Sequence, residues 1–356
     1  MSQLQDLVQD FKDRGLLLPV WFEGRSLKLM DQIKLPLSEE ICRVDRVSDL
    51  AMAIKNMTIR GSGAIGTCGA WGLYLAAVQS GGKKEVVQEA AKLLKQTRPT
   101  AVNLSKTIDE MLGAASGSDG VSLIDNMENK SVEILSRQLE FEYRLGEHGA
   151  ALIEDGDRIL THCHSGALAG SGYGGRALSV IRKAHEKGKR IHVFTSETRP
   201  YLQGARITAY ELKRFGIPHT LLTDGMSGYC MSQGMIDKVV VGSDRVASNG
   251  DLANKVGTYM HALGAREHGV PFYTATSSHT IDFDCPSGQD IEVEYRDSRE
   301  VTSFLSIRTS PKGTKALYPS FDITPHSMIS GIITEKGVIK APYSTNLQKL
   351  NHASVS

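Results

Sequence analysis

Cysteine is scarce in this chain and unpaired. Its 356 residues hold five, Cys42, Cys68, Cys163, Cys230 and Cys285, an odd number with no C-x-x-C spacing. A disulfide framework and a thiolate zinc site are thereby excluded, and most of these residues read as small hydrophobes. Charge of either sign is not in excess: 41 Lys and Arg face 40 Asp and Glu, for a net charge of +1 without a basic run. Nothing here matches a nucleic-acid backbone. Long apolar runs are missing too. Met1 to Gly15 mixes acidic, basic and apolar side chains, so neither a signal peptide nor a membrane span is expected, and a cytoplasmic location follows. The eleven histidines are scattered apart from His162 and His164, which share a strand face at i and i+2. No metal site is expected from them.

What remains is an ordinary soluble composition, 40% hydrophobic and 23% charged, in a chain long enough for two lobes. A division near residue 150 predicts an N-terminal domain over 1–150, a catalytic domain over 151–342 and a loose tail over 343–356. Upstream, apolar residues recur at helical spacing in 47–57, 64–79, 85–96, 101–113 and 123–148, after two β-like runs around Glu23-Gly24 that predict a hairpin. Downstream, β-type runs at 158–162, 191–195, 219–223, 238–242 and 271–276 alternate with helical segments at 172–186, 202–215, 225–232 and 251–267. Gly188 and Gly216 close the first two of these helices. The fold class is therefore α/β: a mostly helical lobe followed by a Rossmann-like doubly wound parallel sheet.

In such sheets ligands bind beyond the carboxyl ends of the strands. The residues found there are Cys163 and His164, Glu197, Asp224, Asp244, and Ser277 to His279. Cys163, beside a helix start and between two histidines, has surroundings that favour a thiolate, which suits it to act as acid, base or nucleophile. Asp244 ends the apolar run Val239 to Gly242, and a carboxylate sunk at the mouth of a sheet is suited to general-acid work. A structural role paired with Arg245 is the alternative. Gly170 to Gly175 matches G-x-G-x-x-G, but Cys163 to Ala169 separate it from its strand, which disfavours a dinucleotide. The stretch from Ser165 is better taken as a Gly-rich loop whose amides approach a substrate closely, with a loop packed on the other lobe as the alternative. Arg60 before a Gly-rich turn and helix, Arg98 before another, and Lys255 in the first turns of the helix after Asp244 supply cationic groups for a phosphate. Taken singly, each is a solvated surface charge. The chemistry that emerges is proton transfer on a phosphorylated small molecule.

The chain resembles the S-methyl-5-thioribose-1-phosphate isomerase family of methionine salvage, related to the regulatory subunits of the exchange factor for eukaryotic translation initiation factor two. The likeness runs from about Leu18 to Ile339. It is carried by Asp31-Gln32, Arg60-Gly61, Thr97 to Leu104, the Cys163 motif, Glu197 to Ala205, Asp244-Arg245, Asn249 to Asp251, Asn254-Lys255 with Gly257 to Tyr259, and Phe321 to Pro325. The resemblance implies a cofactor-free homodimeric aldose-ketose isomerase acting on a sugar phosphate. It places the catalytic thiol on Cys163 and the acid on Asp244. Substrate contacts fall on Arg60, Gly61, Ser62, Arg98, Gln203, Asn254 and Lys255, with His164, Glu197 and Arg245 behind them.

Five residues depart from the family pattern. Ser62-Gly63 stands where Ala-Pro is usual, His164 where Asn follows the cysteine, Ser196 where Asp precedes the Glu-Thr-Arg-Pro run, and Gly225 where Asn is usual. All lie in predicted site loops, so a 5-deoxyribose-1-phosphate or ribose-1,5-bisphosphate isomerase stays open. A non-catalytic protein that binds sugar phosphates is the alternative of a different class.

Overall fold

In the computed structural model, residues 3–98, 101–304 and 307–352 are described, the side chains of 351 and 352 excepted. They form two compact units: Met1–Glu142 with Gly166–Gly175, and Tyr143–Ser165 with Arg176–Ser356.

The first unit is mostly helical. Helix α1 (Gln3–Asp13) precedes the antiparallel strands β1 (Val20–Glu23) and β2 (Ser26–Met30), which turn at the predicted Gly24, and β2 pairs with β3 (Ile41–Val44). Then come α2 (Val47–Lys55), α3 (Ser62–Ser80), α4 (Lys84–Lys95), α5 (Val102–Ala114) and α6 (Gly120–Ala150), whose C-terminal turns belong to the second unit. Helix α3 is buried from Ala64 to Ala77, which explains its all-round apolar and glycine-rich sequence.

The second unit is built on strands β4 (Arg158–Thr161), β5 (His192–Ser196), β6 (His219–Leu222) and β7 (Lys238–Val241). After these come β8 (Arg245–Ala247), β9 (Leu252–Lys255), β10 (Phe272–Ala275), β11 (Ile281–Asp282), the pair β12 (Ser303–Phe304) and β13 (Ile307–Arg308), β14 (Phe321–Thr324), β15 (Gly331–Thr334) and β16 (Gly337–Ile339). Its helices are α7 (Ala177–Glu186), α8 (Ala209–Arg214), α9 (Met226–Ser232), α10 (Thr258–Glu267), the short α11 (Arg299–Thr302) and α12 (Tyr343–His352).

Seven strands form the main sheet in the order β16-β15-β10-β7-β4-β5-β6, all parallel except β16. The chain starts in the middle at β4, moves outward to β6, then returns to β7 on the other side of β4 and moves outward again. Strand order therefore reverses between β4 and β7, the place where a doubly wound sheet opens a ligand crevice. The two strands are apolar and almost wholly buried, as a strand covered on both faces must be. Gly188 and Gly216 end α7 and α8 with φ of +80° and +69°, as predicted.

Three expectations need correction. The helix expected over 251–267 begins only at Thr258: Leu252–Lys255 is a strand, because β8 and β14 pair with it on either side in a second sheet ordered β11-β8-β9-β14. The helix expected over 202–215 opens with a π turn at Gly204–Thr208, where a Cβ on Gly204 would fall 1.8 Å from the Ser196 carbonyl. The tail is not loose over its first ten residues. They form α12, and Tyr343 and Leu347 sit in the core of the second unit, with the tyrosine hydroxyl donating to the Ile329 carbonyl at 2.8 Å.

Leu160, fully buried at the centre of the sheet, tests the weight of that core. Leu160→Ala is expected to cost about 2 to 5 kcal/mol, read as a lowered urea midpoint for the second unit.

Candidate active site

Cys163 lies just beyond the carboxyl end of β4 in a left-handed conformation, φ +67°, which costs energy for any residue with a Cβ. Its surroundings hold it there. The Cys163 amide donates to Thr198 Oγ1 at 2.9 Å, and its carbonyl accepts from Thr208 Oγ1 at 2.8 Å. The sulfur accepts from Gln203 Nε2 at 3.2 Å, while Gln203 Oε1 is buried without a partner among the described residues. Thr198 is itself left-handed, and Asp224 fixes its turn by accepting from the Thr198 and Arg199 amides at 2.8 and 2.7 Å. Asp224, expected among the strand-end site candidates, thus spends both oxygens on the backbone. His164 points away into the interior and meets Glu211 Oε1 through Nε2 at 2.7 Å, both side chains fully buried. Glu197 is half-buried.

Asp244 follows β7, the strand beside β4, and Gly242 packs so closely on the Cys163 loop that a Cβ there would meet Ser165 Oγ at 2.0 Å. The expectation of a sunken carboxylate is corrected: Asp244 is exposed, because the chain turns out of the main sheet at Gly242 into β8. Arg245 extends to Asp282 Oδ2 at 3.7 Å. The Asp244 amide donates to the Ala253 carbonyl at 3.0 Å, which sets Asp244 beside Asn254 and Lys255 on β9. Lys255 is therefore a strand residue and not part of a helix. Its ammonium donates to the Ser320 carbonyl at 2.7 Å and lies over the rings of Tyr318 and Phe321. Asn254 is buried and donates to Thr258 Oγ1 at 3.0 Å. Asp322, opposite Asn254 on β14, accepts the Gly257 and Tyr259 amides at 2.6 and 3.1 Å and so caps α10. Burial pushes its carboxyl up to about 6 against the pull of those two donors.

The two groups of residues are joined by His162. Its Nε2 lies 3.0 Å from the Val256 carbonyl, and its Nδ1 lies 2.5 Å from Ser196 Oγ and 3.0 Å from His261 Nε2. His261 Nδ1 reaches Ser227 Oγ at 2.9 Å. A carbonyl only accepts, so Nε2 of His162 carries the proton, and Nδ1 accepts from His261. Burial lowers the pKa of both rings, and for His261 the neighbouring His162 lowers it further.

In the first unit Gly61, φ +102°, precedes α3 and packs against Ala169 so tightly that a Cβ would fall 2.4 Å from its Cα. Arg60 is half-buried, and Ser62 is exposed and accepts from Asn103 Nδ2 at 2.5 Å. Arg98 is half-buried; Pro99 and Thr100 lie outside the described residues. Gly166–Gly175 of the Gly-rich loop belongs to this unit, and four of its amides are taken by the protein itself. The buried carboxylate of Glu142 accepts from the amides of Ser171, Tyr173, Gly174 and Gly175 at 2.5, 3.1, 3.0 and 3.0 Å. An anion nest is present, and the protein fills it with its own side chain.

The model of the Initiation factor 2 subunit family matches residues 58–341. The chain belongs to that family. It is 45% identical over 343 residues to a methylthioribose-1-phosphate isomerase of Chloroflexus aurantiacus, covering 94% of this chain and 98% of the relative. It superposes on the crystal structure of 5-methylthioribose 1-phosphate isomerase from Pyrococcus horikoshii OT3 with a TM-score of 0.91 at 37% identity, covering 95% and 96% of the two chains. A second crystal structure, titled translation initiation factor eIF-2B, subunit delta, from A. fulgidus, gives 0.87 at 39% identity with 94% and 99% covered. Within the Initiation factor 2 subunit family the chain thus stands with the methylthioribose-1-phosphate isomerases and is an enzyme of the intramolecular oxidoreductase class.

Several supporting residues were not singled out as candidates: Thr198, Glu211, His261 and Asp322 in the second unit, and Glu142 in the first, act through partners far along the chain. Buried charges inside apolar helical runs, such as Glu142 between Phe141 and Tyr143, were the available clue. Among the described residues no group of three His, Cys, Asp or Glu is placed to hold a metal, and no helix is long and apolar enough to cross a membrane.

Glu142→Gln keeps the size of the side chain but turns an amide group toward backbone donors. It is expected to speed hydrogen exchange at the amides of residues 171–175 at least tenfold; unchanged protection there removes the nest as the loop's support. A second expectation concerns pH. The unfolded chain protonates its histidines below about pH 6.5 while the buried rings stay neutral, so stability is full above that value and falls as pH drops below it. His261→Gln should flatten the fall between pH 6.5 and 5 by about 1.4 kcal/mol per pH unit relative to wild type, measured by urea unfolding at each pH.

Proposed function

We propose that the chain interconverts 5-methylthioribose 1-phosphate and 5-methylthioribulose 1-phosphate, an aldose-ketose isomerisation without an added cofactor. The observation that carries this is the pairing of a held thiol and a carboxylate beyond β4 and β7, the strands that flank the reversal of strand order, in a chain so similar to methylthioribose-1-phosphate isomerases.

The substrate dictates what such groups must do. Its anomeric carbon carries phosphate, so the ring cannot open as a free hemiacetal does. Opening needs a proton at the ring oxygen as the C1–O bond breaks, and the new carbonyl needs the C2 hydroxyl to lose one. Asp244 takes that hydroxyl proton and returns it to the ring oxygen. Cys163 serves the hydrogen transfer from C2 to C1, as proton or hydride, with Gln203 Nε2 donating to its sulfur. The unpartnered Gln203 Oε1 takes a substrate hydroxyl, and Asn254 and Lys255 take sugar and phosphate oxygens. For Arg60, Gly61, Ser62 and Arg98 of the first unit the support is the family resemblance, and they are groups suited to phosphate oxygens. His164 and Glu197 stand behind these, the former fixed by Glu211. Arg245 is held by Asp282 and supports the turn that presents Asp244.

The enzyme acts as a homodimer in the cytoplasm. Exposed Met226, Tyr229 and Met260 on α9 and α10 supply an apolar surface for the second copy. The likeness to a chain titled as an initiation-factor subunit favours one other possibility, a protein that binds the sugar phosphate without turning it over.

Purified protein without added nicotinamide is expected to convert methylthioribose 1-phosphate to the ketose, followed by phosphorus and proton NMR. Side-by-side kinetics with 5-deoxyribose 1-phosphate, ribose 1-phosphate and ribose 1,5-bisphosphate rank the group at C5. Cys163→Ser and Asp244→Asn should each lower kcat at least a hundredfold with KM within about threefold; near-normal turnover removes that residue from the chemistry. Binding without conversion of any of the four sugars establishes the sensor instead.

A further inference from the structure

We propose that His162 is a positioning residue for this reaction: its ring ties the strand end that carries Cys163 to the turn that follows Asn254 and Lys255. This rests on the isomerase function proposed above.

The ring touches both segments. Toward the thiol, its Nδ1 meets Ser196 Oγ at 2.5 Å and lies 3.4 Å from Thr198 Oγ1, the atom that holds the Cys163 amide. Toward the cationic arm, its Nε2–H donates to the carbonyl of Val256, the residue after Lys255. Gly257 lets the ring approach: a Cβ there would stand 3.0 Å from its Cε1 and 3.1 Å from its Nε2. The ring is almost wholly buried, so its donor and acceptor must both be satisfied inside the protein, as they are.

The Val256 carbonyl fixes the direction of every bond in the chain. Because Nε2 must donate to it, Nδ1 must accept, His261 Nε2 must donate, and His261 Nδ1 must accept from Ser227. A proton added at His162 Nδ1 would face the His261 N–H, and the arrangement would open at the midpoint between the two functional segments. The groups facing the ring are His261 on α10, the hydroxyls of Ser196 at the end of β5 and of Thr198 just after it, the attracting carboxylate of Asp224 beyond β6, and the repelling ammonium of Lys255 on β9. Burial outweighs the pull of Asp224 and keeps the ring neutral.

The test uses His162→Gln, whose amide offers a donor and an acceptor but not in the opposed directions of the ring nitrogens, alongside Ser196→Ala, which removes the hydroxyl that meets His162 Nδ1 and Thr198 Oγ1. Three readouts are taken from pH 5 to 8: kcat and KM for methylthioribose 1-phosphate, the rate of Cys163 alkylation by iodoacetamide followed by peptide mass mapping, and hydrogen exchange over residues 253–259. His162→Gln is expected to lower kcat and raise KM, each at least tenfold, to change the Cys163 alkylation rate at least threefold, to speed exchange over 253–259, and to reshape the acid limb of the pH profile. Ser196→Ala should move the same quantities in the same direction by a smaller factor, and it decides the matter if His162→Gln does not fold. Values within twofold of wild type for all of them overturn the proposal. Should the wild type fail to turn over the sugar phosphate, the isomerase function falls, while alkylation and exchange still judge His162.

Discussion

The reversal of strand order between β4 and β7 is the constraint on which the second unit depends. In a doubly wound sheet the connections on either side of such a point run over opposite faces, which is why ligand sites form beyond the carboxyl ends of the two strands. Cys163 follows one of these strands and Asp244 the other. A backbone that ends a strand in such a place must turn sharply, and at Cys163 it does so in a left-handed conformation that only its hydrogen bonds to Thr198 and Thr208 make tenable.

Support for that strained turn is itself layered. Asp224 holds Thr198, Thr198 holds the Cys163 amide, and His162 reaches from the same region to the turn after Lys255. Each of these residues is polar, buried or half-buried, and satisfied, which is the condition under which a polar network rigidifies a site. Glu142 plays the equivalent part in the first unit. Its carboxylate organises four amides of the Gly-rich loop, so glycines that look like a ligand cradle serve to let a loop close around a side chain.

Much of the fold was legible in the chain. Five apolar runs separated by amphipathic segments announced five of the seven strands of the main sheet, and Gly188 and Gly216 marked helix ends correctly because only the left-handed conformation terminates a helix that way. The misplaced pieces share a cause. Leu252 to Lys255 becomes a strand because Phe321–Thr324, some seventy residues on, supplies its ladder, and α12 is ordered because Tyr343 and Leu347 find a core built by strands from elsewhere. Local periodicity carries no information about such partners.

The amino-acid sequence by itself determined which chemistry was available: one thiol and one carboxylate at strand ends, cationic groups for a phosphate, and motifs that identify the family. Tertiary structure alone decided how those groups stand. It left Asp244 exposed, put Lys255 on a strand over two aromatic rings, turned His164 inward onto Glu211, and filled the Gly-rich nest with Glu142. The reason is physical. Residue type and spacing set what a side chain can donate, accept or ionise, whereas burial and hydrogen-bond partners come from segments tens to hundreds of residues away, and these determine which capacities are used up in holding the fold.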